Sequence, residues 1–187
     1  FGNGFGVPYA SNEIIILTND FLNEDLNIFF GGQLKNYEIS YESSFGDSST
    51  FNLPNEPSET SIYTKVKWKP NSKLIVEPGI RINTFTAHDQ SFYPDFRFGM
   101  KYILNSSQFI NLAVGNYHQF IETFQDDYNP PFLDNWVAID NSVDPAMSTQ
   151  YVLGYEQYLG REYKLQVEGY YKDIKNLLTF EEIRAST

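Results

Sequence analysis

The chain has 187 residues, 41% of them hydrophobic, and this length and composition exclude a disordered chain and allow a domain with a sizeable core. A formal net charge of −11 argues against nucleic-acid binding, because phosphates are neutralised by clusters of Lys and Arg. The absence of cysteine excludes disulfides, thiolate nucleophiles and zinc–thiolate or iron–sulfur sites.

The N-terminal stretch "FGNGFGVPYA" resembles a loop cut in its middle, and we expect the chain to be a piece of a longer protein. No stretch approaches the roughly 20 apolar residues that a membrane-spanning helix needs. The longest aliphatic run, Ile14 to Leu17, has only the length of a strand.

Apolar and polar residues alternate along most of the chain, as in strands whose two faces meet different surroundings. Residues 163–173 show this clearly, with Leu165 and Val167 on one face and Lys164 and Gln166 on the other. No run has the three- and four-residue spacing of an amphipathic helix. Eight strands are predicted, at about residues 13–21, 25–42, 59–69, 73–86, 93–104, 108–123, 148–159 and 162–180.

Strand length and loop length together favour a membrane barrel. Several predicted strands exceed the five or six residues usual in soluble sheets and reach the roughly 9–11 residues that cross a bilayer at a tilt. Short connections near residues 23, 71, 106 and 160 alternate with longer ones at 43–58, 87–92 and 124–147. Outer-membrane barrels show this alternation of short periplasmic turns and long extracellular loops.

We therefore predict an all-β fold, an antiparallel up-and-down transmembrane β-barrel segment of about eight long strands. In this arrangement the first strand begins outside and the eighth ends outside, whereas complete bacterial barrels are expected to keep both ends inside. The segment is therefore expected to be part of a larger barrel. Its apolar face, with Tyr151, Leu153 and Val167, would meet lipid, and its polar face, with Gln150 and Glu168, would meet a wet lumen. A soluble β-sandwich remains the alternative.

The order of several motifs resembles the β-barrel of TonB-dependent outer-membrane receptors. In "SIYTKVKWKPNSKLIVEPGIRINTF", Trp68 precedes a short turn and the sequence of residues 78–81, PGIR. Near the C-terminus, "EGYYK" at 168–172 is followed by Asn176 and Leu177. The resemblance covers roughly residues 13–180 and rests on order and spacing. The plug domain, the energy-coupling box and the C-terminal aromatic strand of that family are not found, so residues 1–187 are expected to be a partial barrel.

The resemblance implies a function and a location. It implies a receptor of the bacterial outer membrane that takes up a scarce, bulky nutrient, such as a siderophore, cobalamin or an oligosaccharide, using the proton-motive force. The implied partners are outer-membrane lipid, the nutrient and a TonB energy-coupling complex acting through the plug domain. Two other functions stay open: a passive porin-like channel, and a soluble sandwich that binds carbohydrate.

Enzyme chemistry has little support in the sequence. The only histidines are His88, in a predicted loop, and His118, near the outer end of a strand, and no nucleophile–base arrangement accompanies them. Acidic residues in and beside the longest loop, such as Glu122 and Asp140, lack the spacing of an EF-hand and are interpreted as a solvated surface. We predict no catalytic residue, no metal site and no cofactor.

The longest loop carries aromatic rings among amide and carboxylate side chains, a combination that binds sugars and flat organic ligands. The predicted ligand contacts are Asp126, Asp127, Tyr128, Phe132 and Trp136. The alternative is that these rings pack the loop against its neighbours.

Two further sets of residues are predicted to be structural. An interfacial aromatic band is expected beside the short turns; its members are Trp68, Tyr102, Tyr158 and Tyr163. Mixed charges on the polar face, including those of Lys65, Glu77, Arg81 and Arg97, are expected to form a cross-strand network.

Overall fold

A computed structural model describes residues 9–45, 49–90, 92–124, 135–160 and 162–178. These residues form β-strands and no helix, so none of them lies in a helix that could span a membrane. The strands are β1 (Tyr9–Asn23), β2 (Leu26–Phe45), β3 (Ser49–Asn55), β4 (Ser58–Asn71), β5 (Leu74–Phe85), β6 (Tyr93–Asn105), β7 (Gln108–Gln119), β8 (Ile121–Phe124), β9 (Asn135–Ala138), β10 (Ala146–Leu159) and β11 (Tyr163–Lys175).

Eight long strands lie side by side in one antiparallel sheet, in the order β1-β2-β4-β5-β6-β7-β10-β11. Their lengths run from 12 residues in β5 to 20 in β2. This confirms the predicted all-β, up-and-down architecture. The sheet is open within the described residues, with β1 at one edge and β11 at the other.

The long connections contain strands that were not predicted. β3 pairs with the outer part of β2, and β8 pairs with β9 in a separate two-stranded sheet. The predicted strand 108–123 is interrupted at Phe120, whose buried ring stacks on Phe85 with the ring centroids 5.0 Å apart. The last strand ends at Lys175 because Asn176 adopts a positive φ of 56°, which an extended strand cannot continue.

Cross-strand register keeps one set of side chains on one face of the whole sheet. A row on this apolar face runs through Val76, Met100, Leu112, Leu153 and Gly169, on five successive strands of the sheet. Many apolar side chains on this face are exposed, and Leu153 reaches 60%. In the part of the chain that the structure describes, no second sheet packs on it, which disfavours a sandwich and agrees with a face that meets lipid.

Of the four residues predicted for an aromatic band, three lie on the apolar face beside short turns. Trp68 pairs with Val76, Tyr102 with Leu74 and Tyr163 with Leu159, all in the register of the apolar face. Tyr158 instead pairs with Lys164 on the polar face, where its ring also meets Phe109 edge-on at 5.9 Å. Because successive side chains of a strand point to opposite faces, Tyr158 lies on the face opposite to that of its neighbour Leu159.

Ion pairs cross the polar face from strand to strand. The Glu77 carboxylate forms ion pairs with the ammonium groups of Lys65, at 3.3 Å, and Lys67, at 3.8 Å. Glu156 similarly lies between Lys101, at 3.6 Å, and Lys164, at 3.2 Å. The predicted cross-strand charge network is therefore present along most of the sheet.

The buried core lies at the end of the sheet that carries the long connections. Its members are Tyr37, Ile39, Phe85, Tyr93, Phe120, Ile121, Ala138 and Ile139. The backbone amide of Ile139 donates to the carbonyl of Phe120 at 3.0 Å and so extends the β8–β9 pairing to Phe120, whose ring packs on Phe85 of the main sheet. The core thus joins the hairpin to the strands beneath it.

The adjacent glycines of β2, Gly31 and Gly32, lie on opposite faces of the sheet. On the polar side, the ring of Tyr63 covers Gly31 so closely that a Cβ atom there would overlap it. On the apolar side, Gly32 lies in register between Ile16 and Ile62, and a Cβ atom would find its nearest neighbour, the Ser61 carbonyl oxygen, at 3.7 Å. Of the two, only Gly31 has a neighbour, the far end of the Tyr63 side chain, that would have to move to admit a Cβ atom.

The apolar face can be tested with Leu153, which lies midway along β10. Leu153→Arg is expected to cost about 2–4 kcal/mol of unfolding free energy in phospholipid vesicles, since a cation would face hydrocarbon near the bilayer centre. Denaturant titration of the complete protein in vesicles measures this. Val152→Arg, one residue away on the polar face, is the control and should cost much less. Equal costs would contradict the assignment of the faces.

The glycine pair provides a second test of packing. Gly31→Ala is expected to lower the free energy of unfolding by roughly 1–3 kcal/mol, because the new methyl group must displace the Tyr63 ring. Gly32→Ala should have little effect. Combining Gly31→Ala with Tyr63→Ala should cost less than the sum of the two single changes. Additive costs in a denaturant-based double-mutant cycle would show that the ring does not restrict this position.

Candidate ligand-binding site on the polar face

A cavity of about 490 Å³ opens on the polar face, close to the buried core and the long connections. Side chains from β2, β4, β5, β6 and β7 form its floor, and Trp136 of β9 contributes to its wall. Most of these side chains are charged or bear amides, so the cavity suits a polar ligand.

Glu59 gathers one group of partners in the cavity. Its carboxylate lies 3.7 Å from the Lys35 ammonium and 3.5 Å from the Arg81 guanidinium, and the Tyr37 hydroxyl donates to it at 2.8 Å. Arg81 also donates to Gln33, and its Nε donates to the Asn83 amide oxygen at 2.7 Å. The positive charge of Arg81 is therefore already paired within the protein.

Asp95 forms the centre of a second group. One carboxylate oxygen lies 2.7 Å from Nδ1 of His118, and the other accepts a hydrogen bond of 2.9 Å from the Asn83 amide. The Asp95 side chain is only 4% exposed and that of His118 13%. A buried carboxylate without partners would be costly, and here both oxygens have partners.

Asn116 shapes this part of the cavity by ending the pairing of β6 with β7. Its amide oxygen accepts from the Phe96 backbone N–H at 2.8 Å, and its amide nitrogen donates to the Pro94 carbonyl at 3.0 Å. The continuous ladder therefore ends at the pair Arg97–Gly115. Beyond this point β7 departs from strict alternation, and both Tyr117 and His118 line the cavity.

The same three-residue stack occurs twice on the polar face. Tyr63 covers Gly31, and the Arg81 guanidinium lies 5.7 Å from the centre of the Tyr63 ring. Tyr117 similarly covers Gly115, where a Cβ atom would lie 3.1 Å from the tyrosine oxygen, and Arg97 lies 4.8 Å from the centre of that ring. Both arginines are thus oriented by cation–π contact with an aromatic ring.

Hydrogen bonds also order the connections at this end of the sheet. The Asp89 backbone N–H donates to the Asn141 side chain at 2.7 Å, which joins two connections. Hydrogen bonds from the hydroxyl and the backbone N–H of Ser142 lower the pKa of Asp140. Asp140 is therefore ionised at neutral pH and adds negative charge to this connection.

Of the predicted ligand contacts, the structure describes one, Trp136. Its ring lines the cavity and packs against the buried core. The other four, Asp126, Asp127, Tyr128 and Phe132, lie outside the described residues. Within the described ranges, no group of three His, Asp or Glu side chains is placed to hold a metal ion.

Sequence reasoning missed the convergence of several residues at this cavity. The alternation of apolar and polar residues correctly placed Arg81, Asp95 and Arg97 on the polar face. They were interpreted, however, only as parts of a structural network. His118 received no role, although it contacts a buried carboxylate. The signal that could have identified it is Asn116, an amide on the apolar face that can replace backbone pairing.

Comparison with solved structures shows the fold. The siderophore receptor PirA from Pseudomonas aeruginosa superposes with a TM-score of 0.65 at 8% identity, covering 91% of this chain and 33% of that one. The RagAB peptide transporter gives a TM-score of 0.60 at 9% identity, covering 89% of this chain and 23% of that one. The chain therefore spans only 23–33% of the length of these structures. No curated protein matches the sequence significantly.

Comparison with protein families gives a match over nearly the whole sequence. Residues 3–186 match the family described as "TonB dependent receptor-like, beta-barrel". The matched region includes all eight strands of the main sheet and the cavity on their polar face. This chain therefore belongs to the family of TonB-dependent receptor-like β-barrels.

Proposed function

We propose that this chain is part of an outer-membrane receptor that imports a scarce, bulky nutrient with energy from the proton-motive force. Membership of the receptor family supports a role in uptake. The observation that carries the proposal is the cavity on the polar face, where Trp136 from a long connection meets polar side chains of five strands. The proposal includes the rest of the barrel and a plug domain, because this chain spans only part of the length of the related structures.

The arrangement of faces supports this function. The apolar face exposes large side chains over much of the sheet, as a lipid-facing surface does. The polar face, with its ion pairs, then lines the interior through which the nutrient passes. The cavity lies at the long-connection end, which in this orientation is the extracellular end, where a nutrient arrives first.

The proposed ligand contacts are the predicted loop residues together with the cavity floor. Trp136 supplies an aromatic surface, and Asp126, Asp127, Tyr128 and Phe132 belong to the same connection. Suitable nutrients are siderophores, cobalamin and oligosaccharides, all of which combine extended surfaces with polar groups. Peptides join this set because one structural neighbour is a peptide transporter.

Energy-dependent uptake can be measured directly. Cells that carry the complete gene should accumulate one of four labelled probes, and a deletion strain should not. The probes are a ⁵⁵Fe-loaded siderophore, cyanocobalamin, maltohexaose and a tryptic peptide mixture. A proton uncoupler should abolish the gene-dependent uptake. Gene-dependent uptake that persists with the uncoupler would instead indicate a passive channel.

A substitution at Trp136 tests the cavity as the point of ligand contact. Trp136→Ala is expected to raise the substrate concentration for half-maximal uptake roughly tenfold, because a large aromatic side chain commonly dominates a binding surface. Trp136→Phe keeps an aromatic ring and should retain most of the affinity. Thermal unfolding of both variants controls for loss of the β8–β9 hairpin. Unchanged uptake by a folded Trp136→Ala variant would place the ligand elsewhere.

A further inference from the structure

Arg97 differs from the other strongly basic side chains of the cavity. Lys35 and Arg81 both contact Glu59. Among the described residues, Arg97 has no carboxylate within ion-pair distance, and its guanidinium lies over the Tyr117 ring. Its guanidinium is therefore oriented but not neutralised.

The comparison with Arg81 makes this difference informative. Each arginine stacks on a tyrosine that covers a glycine, so the two side chains are supported in the same way. Arg81 completes its hydrogen bonds with Glu59, Gln33 and Asn83. Arg97 retains the planar set of donors that matches a carboxylate in a two-point contact.

The nearest acidic residue along β6 does not pair with Arg97. Asp95 lies two residues earlier on the same face, and its carboxylate oxygens contact His118 at 2.7 Å and the Asn83 amide at 2.9 Å. The Asp95 side chain is only 4% exposed, whereas Arg97 is exposed. The buried carboxylate and the exposed guanidinium therefore form no ion pair in this structure.

The surface around Arg97 leaves room for another molecule. Its cross-strand neighbours are Gly79 on β5 and Gly115 on β7, and Gly99 follows two residues later on β6. None of these positions carries a side chain that would cover the guanidinium from the side. Arg97 also lies in the outer half of β6, in the same cavity as Trp136.

We infer that Arg97 is an anion-binding residue that receives a carboxylate group of the imported molecule. This inference rests on the proposed function and narrows it, since it selects nutrients that carry a carboxylate over neutral ones. The guanidinium donates two hydrogen bonds to the carboxylate, while Tyr117 holds its plane. The remainder of the ligand extends from Arg97 toward Trp136, which lines the same cavity.

Citrate binding to the complete protein in detergent tests this site without any energy source. Isothermal titration calorimetry should show saturable binding of citrate and none of triethyl citrate, its uncharged ester. Arg97→Gln should weaken citrate binding about tenfold or more, because a charge-assisted hydrogen-bond pair is lost. Arg97→Lys should recover part of the affinity, since a point charge remains without the planar pair of donors. Lys172→Gln removes the same charge from the same cross-strand row and should leave binding nearly unchanged.

Chemical labelling of the unmodified protein provides a test that does not depend on variants folding. Phenylglyoxal should modify Arg97 faster than Arg81, and citrate should protect Arg97 without changing Arg81, as read by peptide mass spectrometry. If Arg97 is unreactive before citrate is added, another part of the protein already neutralises it and the inference is wrong. Equal citrate affinity in Arg97→Gln and Lys172→Gln, or no citrate binding, would also overturn it.

These outcomes are separable from those of the uptake experiment. Loss of the citrate site with intact uncoupler-sensitive uptake would overturn the anion site and leave the importer in place. Citrate protection of Arg97 with no gene-dependent uptake would leave the anion site in place and overturn the importer.

Discussion

The register of backbone hydrogen bonding between neighbouring strands determines which side chains share a face of this sheet. Because side chains alternate along a strand, a slip of one residue would exchange the two faces of every strand beyond it. The register instead aligns Leu112 with Leu153 on one face and Glu59 with Lys35 on the other. The lipid-compatible surface, the ion pairs and the cavity all follow from that alignment.

Two glycines of the sheet allow close contacts between tyrosine side chains and the backbone. On the polar face, Gly31 and Gly115 allow tyrosine side chains to pass close to the backbone, and each ring supports an arginine. A side chain at either glycine would lift the ring and move the guanidinium with it. The positions of two cations in the cavity are thus set by residues that have no side chain.

The sequence predicted the sheet better than it predicted the cavity, for a physical reason. Strand alternation is local, so eight strands and their two faces could be inferred from runs such as residues 163–173. The cavity depends on which residues of different strands lie opposite one another, and no local pattern carries that information. Glu59 and Arg81 are 22 residues apart in sequence, and Asp95 and His118 are 23 apart. The hairpin of β8 and β9 was missed because its strands are only four residues long and depend on contacts with Phe120.

The nesting of β3 and of the β8–β9 hairpin inside connections at one end has an evolutionary consequence. The entropic cost of closing a loop rises slowly, by about 0.6 kcal/mol for each doubling of its length. Segments of very different length can therefore be exchanged between β2 and β4, or between β7 and β10, without altering the pairing beneath them. A lineage can in this way acquire a new recognition surface in one recombination event, whereas changing the strands themselves requires coordinated substitutions on both sides of each pair.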